Sequence, residues 1–449
     1  MPPADGAPQG LPWRTGLLLA ALSGAGFALT LYVFYPGVMT YDARFVYEDI
    51  AKGTLGDWQS PAMTVLWAWV DPLAPGSASM LLLMAAMYWL AFGLLAATLA
   101  RRSFGLAAIL LLLALSPPAF VFQGIIWRDV LFANCWLLAS ALSFAAAGRG
   151  ADLRLPAQIL ALGLLALGVL LRPNALLAAP LLAAAILWPR DLSFKRTAVA
   201  YLPIGLALFG LVQLVYYGAL GATRQHPLQS IMVFDLGGIS HFARQNQFPV
   251  TWSEVETKQL LDTCYQPTQW DIYWRLEPCE FVMRKLEREE KLFGTPAITA
   301  AWVKAIAHHP LAYLEHRAAF MWNFLARENL TMWTDDVYDP PKKVFAGRPA
   351  FNALVAAHDA LKASPLFRAG TWLVLCAAVC AFAWRRRDTA GGVFAIGACG
   401  SATLYVLTYF AAGVASDFRY AYWAVLAGIA GAAALVMPRR AGTAPSPAC

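Results

Sequence analysis

Apolar runs close to 20 residues long recur along this chain, and no other property limits its fold so tightly. A helix needs about 20 residues to cross the hydrocarbon core of a bilayer. Runs of that kind lie at 14–35, 77–99, 104–122, 129–147, 156–171, 174–189, 197–219, 366–384, 391–413 and 420–437. In lipid every backbone N–H and C=O must be satisfied within the segment. The expected fold class is therefore all-α, a polytopic helical membrane protein with about ten transmembrane helices. Composition agrees, with 59% hydrophobic and 14% charged residues, against about 45–50% and about 25% in soluble domains. The runs at 156–171 and 174–189 are short and meet at Arg172-Pro173-Asn174, which leaves a tight hairpin or a re-entrant pair open. No small-residue cleavage site precedes the aromatic stretch Tyr32 to Tyr35, so the first run is expected to stay as an anchor.

Lys and Arg set the orientation, because short cytoplasmic loops carry the positive excess. With the N-terminus in the cytoplasm, Arg14, Arg101, Arg102, Arg149, Arg154, Arg190, Lys195, Arg196, Arg385, Arg386, Arg387, Arg439 and Arg440 all fall inside. Topology thus accounts for the net charge of +7 and leaves no basic patch to assign to nucleic acid. The expected location is a bacterial inner membrane. Three parts follow: residues 1–219 as an N-terminal membrane domain whose first outer loop is 36–76, an outer (periplasmic) module at 220–365, and a membrane block with a cytoplasmic tail at 366–449. The outer module holds all six histidines. It also holds Cys264 and Cys279, which fit either a disulfide in an oxidising compartment or two free thiols.

The first outer loop reads as two short helices at the membrane interface. Ala43, Val46, Tyr47 and Ile50 form an apolar stripe, and Arg44, Glu48 and Lys52 pair at i, i+4 on the wet side. Gly53 ends that helix, and Ser60-Pro61 caps and opens a second one through Trp69. The outer module is expected to be mainly helical. Ser253 to Glu256 has capping-box spacing, Thr295-Pro296 opens a helix, Pro310 interrupts the periodic run 297–325, and Asp339-Pro340-Pro341 breaks the chain. No nucleotide-binding Gly-rich loop is present, which argues against an ATPase.

The candidate chemistry sits at outer span ends. Asp42 and Asp49 are seven apart and share a helix face with Phe45 between them. Burial against Tyr35, Tyr41 and Phe45 would raise the basicity of Asp42 and suit it to act as a general base; its type and position equally suit the N-cap of a helix beginning at Ala43. Ile126-Trp127-Arg128-Asp129, Arg172-Pro173-Asn174 and Ser416-Asp417-Phe418-Arg419-Tyr420 place further charges at three more outer ends. Charges at membrane depth are costly and point to function, although an interfacial Arg128–Asp129 ion pair would also explain the second motif. The planar fork of Arg matches phosphate, so Arg128, Arg172 and Arg419 suit a lipid phosphate, with Asp42 handling an acceptor proton. Tyr420, Tyr422 and Trp423 also fit an aromatic belt. His308, His309 and His316 lack companion ligands at metal spacing.

Tyr35-Pro36 through Asp42, then Tyr47, Ala51, Asp57-Trp58 and Pro61, resembles the first outer loop of the C-type polytopic glycosyltransferases, the superfamily of protein O-mannosyltransferases and lipid A aminoarabinose transferases. The resemblance covers the first membrane half and hardly touches the outer module. It implies a polyprenyl-phosphate sugar donor, a glycan or lipid acceptor, a catalytic acid at Asp42, a second acid for which Asp129 is the counterpart, and arginines that bind phosphate. Asp42 is followed by Ala43 where relatives often carry Asp-Glu, and no strict Asp-x-Asp exists. Metal dependence is therefore left open, a divalent metal being compatible, and Glu48, Asp49, Asp57 and Asp129 all stand as candidates for the second carboxylate.

The expected function is an inverting transfer of sugar from a polyprenyl-phosphate donor on the outer face. Asp42 and Asp129 are the expected catalytic residues. Asp49, Asp57, Trp58, Arg128, Arg172, Asn174, Arg419 and Tyr420 are expected to bind substrate. A lipid-linked polysaccharide ligase would instead draw on Arg224, His226, His241 or Arg317 in the outer module. A transporter or flippase of a lipid-linked glycan would need charges near the midplane and broken helices, and a non-catalytic assembly factor would need none of these residues for chemistry.

Overall fold

The computed structural model describes residues 11–275, 277–327, 332–337, 343–345 and 347–437; Asp339-Pro340-Pro341, Arg439, Arg440 and Cys449 lie outside them. Among the described residues there is no strand; isolated β-bridges join Val38 with Ile125, Gly56 with Thr223 and Gln269 with Ala415. The helices are α1 (Trp13–Phe34), α2 (Tyr41–Lys52), α3 (Pro61–Val70), α4 (Ser77–Ala100), α5 (Phe104–Ala114), α6 (Pro117–Phe120), α7 (Arg128–Ala146), α8 (Ala151–Leu171), α9 (Ala179–Leu187) and α10 (Phe194–Gln213). The module that follows contains α11 (Leu228–Ala243), α12 (Glu254–Asp262), α13 (Ile272–Arg275), α14 (Phe281–Met283), α15 (Pro296–His308), α16 (Pro310–Ala326) and α17 (Pro349–Leu361). The chain then returns to the bundle with α18 (Ala369–Ala383), α19 (Ala390–Ala412) and α20 (Tyr422–Leu435).

Among the described residues seven helices are long and apolar enough to cross a membrane, and eight if the bent pair of 104–114 and 117–124 counts as one span. This is a multi-pass membrane protein. Two of the apolar runs form shorter helices. Within 174–189 a 3-10 turn at Pro173–Leu177 precedes α9, which has 9 residues and spans about 13 Å at 1.5 Å per residue. Within 366–384, α18 has 15 residues, about 22 Å, because a 3-10 turn at Pro365–Phe367 delays its start.

The bend after α5 comes from Pro117 and Pro118, which cannot donate the backbone bonds a straight helix needs. Two tyrosines take up carbonyls on either side of it. Tyr88 donates to Ala114 O at 2.5 Å and Tyr422 to Ala119 O at 2.5 Å. Close helix approach depends on glycine facing tryptophan: a Cβ on Gly26 would lie 2.4 Å from the Trp89 ring, and one on Gly168 2.3 Å from Trp136 Nε1. Small residues of this kind let neighbouring helices pack tightly in lipid.

The bundle has two unlike ends. At the basic end Arg190 donates to Arg149 O at 2.9 Å, Leu192 N–H to Arg387 O at 3.0 Å and Arg386 to Met437 O at 2.9 Å. The other end carries α2, α3 and the helical module. There Cys264 and Cys279 form a disulfide, which resolves the alternative the sequence leaves open.

Local signals in the extramembrane segments translate directly. The Arg44–Glu48 and Lys52–Glu48 pairs form at 2.8 and 3.1 Å, and Gly53 ends α2 in the left-handed region at φ 63°. Ser60 caps α3, Ser253 and Glu256 complete a capping box, and Thr295 caps α15. One boundary differs: α2 begins at Tyr41 with Thr40 as N-cap, so Asp42 lies inside the first turn and is not the cap. Its carboxylate still suits the positive end of the helix dipole.

Candidate active site

Backbone pairing brings the first loop to the start of α7. Val38 and Ile125 form a parallel bridge, with Val38 N–H to Gly124 O at 2.9 Å and Ile126 N–H to Val38 O at 3.0 Å. Trp127 Nε1 then donates to Thr40 Oγ1 at 2.8 Å, so the cap residues of α2 and α7 touch. Asp42 is thereby set beside the α7 charges, which motif spacing alone does not reveal.

Asp42 is held by two donors. Arg419 Nη1 donates to Oδ2 at 2.7 Å and Gln59 Nε2 to Oδ1 at 3.1 Å. Burial opposes ionisation, but Arg419 and Arg128 outweigh it and hold the Asp42 carboxyl down at about 2. The expectation that burial raises its basicity is therefore corrected. Tyr35, Tyr41 and Phe45 are exposed and do not enclose it, while arginines do the deciding. The carboxylate keeps 35% of its side-chain surface accessible, so it is open on one side.

Arg419 also lies 3.1 Å from Asp417 Oδ2, donates to Tyr420 OH at 3.2 Å and has its guanidinium 4.7 Å from the Trp127 ring centroid. Burial pushes the Asp417 carboxyl upward, against the pull of Arg419. Below it Arg172 pairs with Asp129, both almost wholly buried. Arg172 Nη2 donates to Tyr409 OH at 3.1 Å, and its Nε is buried without a hydrogen-bond partner. Tyr420 sits between the two arginines, 4.9 Å from Arg172 and 5.1 Å from Arg419, and stacks on Tyr409 at 5.1 Å. Cation–π contacts of this kind fix guanidinium planes without neutralising them.

Arg128 differs from the other two arginines. It donates to Trp58 O at 3.3 Å, and no carboxylate of the described residues pairs with it. The Arg128–Asp129 ion pair that the motif allows is not made; Asp129 goes to Arg172 instead. Arg128 feels the charges of Arg172, Asp42 and Asp129 and is the cation least neutralised among these three.

The cluster thus gathers Asp42, Arg128, Asp129, Arg172, Arg419 and Tyr420, with Trp58 at its edge. Asp49 is not in it: its Oδ1 accepts from Thr54 Oγ1 at 3.0 Å, a local bond at the end of α2. The seven-residue spacing gives Asp42 and Asp49 a similar direction, but the two turns between them, about 10 Å, carry Asp49 away from α7. Asp57 lies one step outside, accepting from Tyr217 OH at 2.7 Å and Gln225 N–H at 2.5 Å. Asn174 is half-buried in the turn beside Arg172 and bonds none of the site side chains. Gln59, Trp127, Tyr409 and Asp417 belong to the cluster without having been assigned to it. Asp417, two residues before Arg419 at a span end, carried a readable signal, whereas Tyr409 looks like any tyrosine in an apolar run.

The carboxylates do not make a metal centre. Asp42, Asp57 and Asp129 each face cations or donors, and the described residues contain no group of three or more His, Cys, Asp or Glu side chains able to hold a metal ion. His308 Nδ1 bonds Lys304 O at 2.8 Å, and His316 is buried 3.2 Å from Asp235.

Of the module residues of the ligase reading, His241 and Arg317 share a buried cluster through Tyr265, His316 and Asp235, and Arg224 and His226 make other contacts. Arg224 lies over the Tyr217 ring at 3.7 Å and His241 bonds Leu261 O at 2.8 Å. His226 has φ 60° beside Gly294. Arg317 is fully buried, 2.7 Å from Asp235, and donates to Gly413 O at 2.6 Å. It therefore braces the loop that leads to Asp417 and Arg419, which the antiparallel bridge of Gln269 with Ala415 also holds.

No protein-family model, curated protein or solved structure matches this chain.

Proposed function

We propose that this protein is a membrane glycosyltransferase that moves a sugar from a polyprenyl-phosphate donor to a hydroxyl-bearing glycan or lipid acceptor. The observation that carries the reading is one cluster at the end of the bundle opposite the basic one, in which Arg419 bonds Asp42, Arg128 acts on the charge of Asp42 and Arg172 pairs with Asp129. With α9 and α18 counted as crossings, ten spans put the N-terminus and all the basic loops on one side. That side is the cytoplasm by the positive-inside rule, and the membrane is a bacterial inner membrane. The module disulfide fits an oxidising outer side.

In the reaction the acceptor oxygen attacks the anomeric carbon as the bond to the donor phosphate breaks, which inverts that carbon. The departing polyprenyl phosphate gains negative charge. Arg128, lacking a carboxylate partner, is the group that receives it, as a preorganised donor should. Asp42 accepts a hydrogen bond from the acceptor hydroxyl. Held at about 2, it cannot keep the proton near neutral pH. The proton passes to the released phosphate, whose second pKa of about 6 makes it the stronger base. Asp129 acts by holding Arg172.

The test is release of polyprenyl phosphate from a labelled polyprenyl-phosphate sugar by the purified protein. Asp42→Asn should lower turnover by about a hundredfold or more while the protein stays folded in the membrane; near-normal product from that variant would sink the assignment.

A further inference from the structure

We infer that Gln225, acting with Asp57, is a positioning residue for Arg128, so that the first residues of the module aim an arginine that belongs to the bundle. The inference rests on the reading of Arg128 as a ligand of the donor phosphate. Arg172 and Arg419 are each oriented by a carboxylate, which also cancels their charge. Arg128 is oriented by a neutral carbonyl, that of Trp58 at 3.3 Å. A neutral acceptor fixes a guanidinium and leaves its charge available to an anion, so whatever fixes that carbonyl fixes the arginine.

The peptide just before that carbonyl is held from the module, which fixes the Trp58 backbone on its N-terminal side. Trp58 N–H donates to Gln225 Oε1 at 2.9 Å, Asp57 N–H to Thr223 O at 3.1 Å and Thr223 N–H to Leu55 O at 2.8 Å. The Asp57 side chain closes the clasp by accepting from Gln225 N–H at 2.5 Å and from Tyr217 OH at 2.7 Å. A Cβ on Gly56 would lie 2.3 Å from Gln225 Oε1, in the space the amide occupies to reach Trp58. The Trp58 ring meets Trp270 at 5.7 Å, a further contact with the module. Asp57 is thus occupied within the clasp, which accounts for its place one step from the cluster.

The experiment measures the dissociation constant of polyprenyl monophosphate for the full-length protein in detergent micelles. The variants are Arg128→Gln, Gln225→Met and the two together, with thermal unfolding of each as a control. Arg128→Gln and Gln225→Met should each weaken binding about tenfold. The double variant should be no weaker than Arg128→Gln alone, because residues acting through one contact are not additive. Wild-type affinity in Gln225→Met, or additive losses in the double variant, would overturn the positioning role. Unchanged binding in Arg128→Gln would overturn the donor-phosphate reading instead. If Gln225→Met does not fold, Asp57→Asn takes its place in the same cycle with the same outcomes.

Discussion

At the scale of single residues, the site is a set of charges whose partners decide what each can do. Asp42 is depressed from 3.8 to about 2. A depressed carboxylate contributes stability that is fully present above its unfolded value and is lost as pH falls through the folded one. The Asp42–Arg419 pair should therefore hold above about pH 4 and fail only toward about pH 2. A profile of kcat/KM against pH should show no acid limb from Asp42 between about pH 5 and 8; a limb abolished by Asp42→Asn in that range would contradict the ionised role. Asp129→Ala leaves Arg172 buried without its counter-charge and should cost about 3–5 kcal/mol, read from thermal unfolding in detergent. Replacing both partners by apolar residues should recover much of that stability without restoring transfer. The charges themselves were legible in the sequence, since Arg or Asp at the end of an apolar run is expensive. Their pairing was not: Asp129 adjoins Arg128 in sequence yet bonds Arg172, 43 positions away.

At the scale of elements, caps and stripes were legible because they depend on neighbours within one turn. Ser60, Ser253, Thr295 and Gly53 do what their types and positions dictate. The start of α2 slipped because Thr40 and Asp42 are both capable caps. The bond from Trp127 Nε1 to Thr40 Oγ1 joins that cap to α7, a contact no local reading contains. The contact of α7 with α8 has its own weak point. Gly168 lies under Trp136, whose indole donates to Leu165 O at 3.2 Å. Gly168→Val would force the two helices apart and should destabilise the protein by about 1–3 kcal/mol, measured by thermal unfolding. Because α7 carries Asp129 and α8 leads into Arg172, that variant should also lose activity beyond its loss of folded protein.

At the scale of the whole molecule, the module is a clamp on the bundle as much as a separate unit. It reaches the first loop through Gln225 and the loop between α19 and α20 through Arg317 and Gln269. Cys264→Ser should cost the module about 3 kcal/mol by the loop-entropy argument, seen as faster proteolysis of residues 250–290 in membranes. Topology is testable by labelling single cysteines in intact cells with a membrane-impermeant maleimide. A cysteine at Lys258 should react and one at Arg102 should not; the reverse would invert the orientation. That this chain is helical and multi-pass was legible from its residues alone. Bilayer thickness and backbone hydrogen bonding act on composition and run length alone. Packing between distant segments settled which charges meet and which carboxylate stays outside. It also decided that Arg128 keeps its charge unpaired, because those outcomes depend on loops hundreds of residues apart closing on one another.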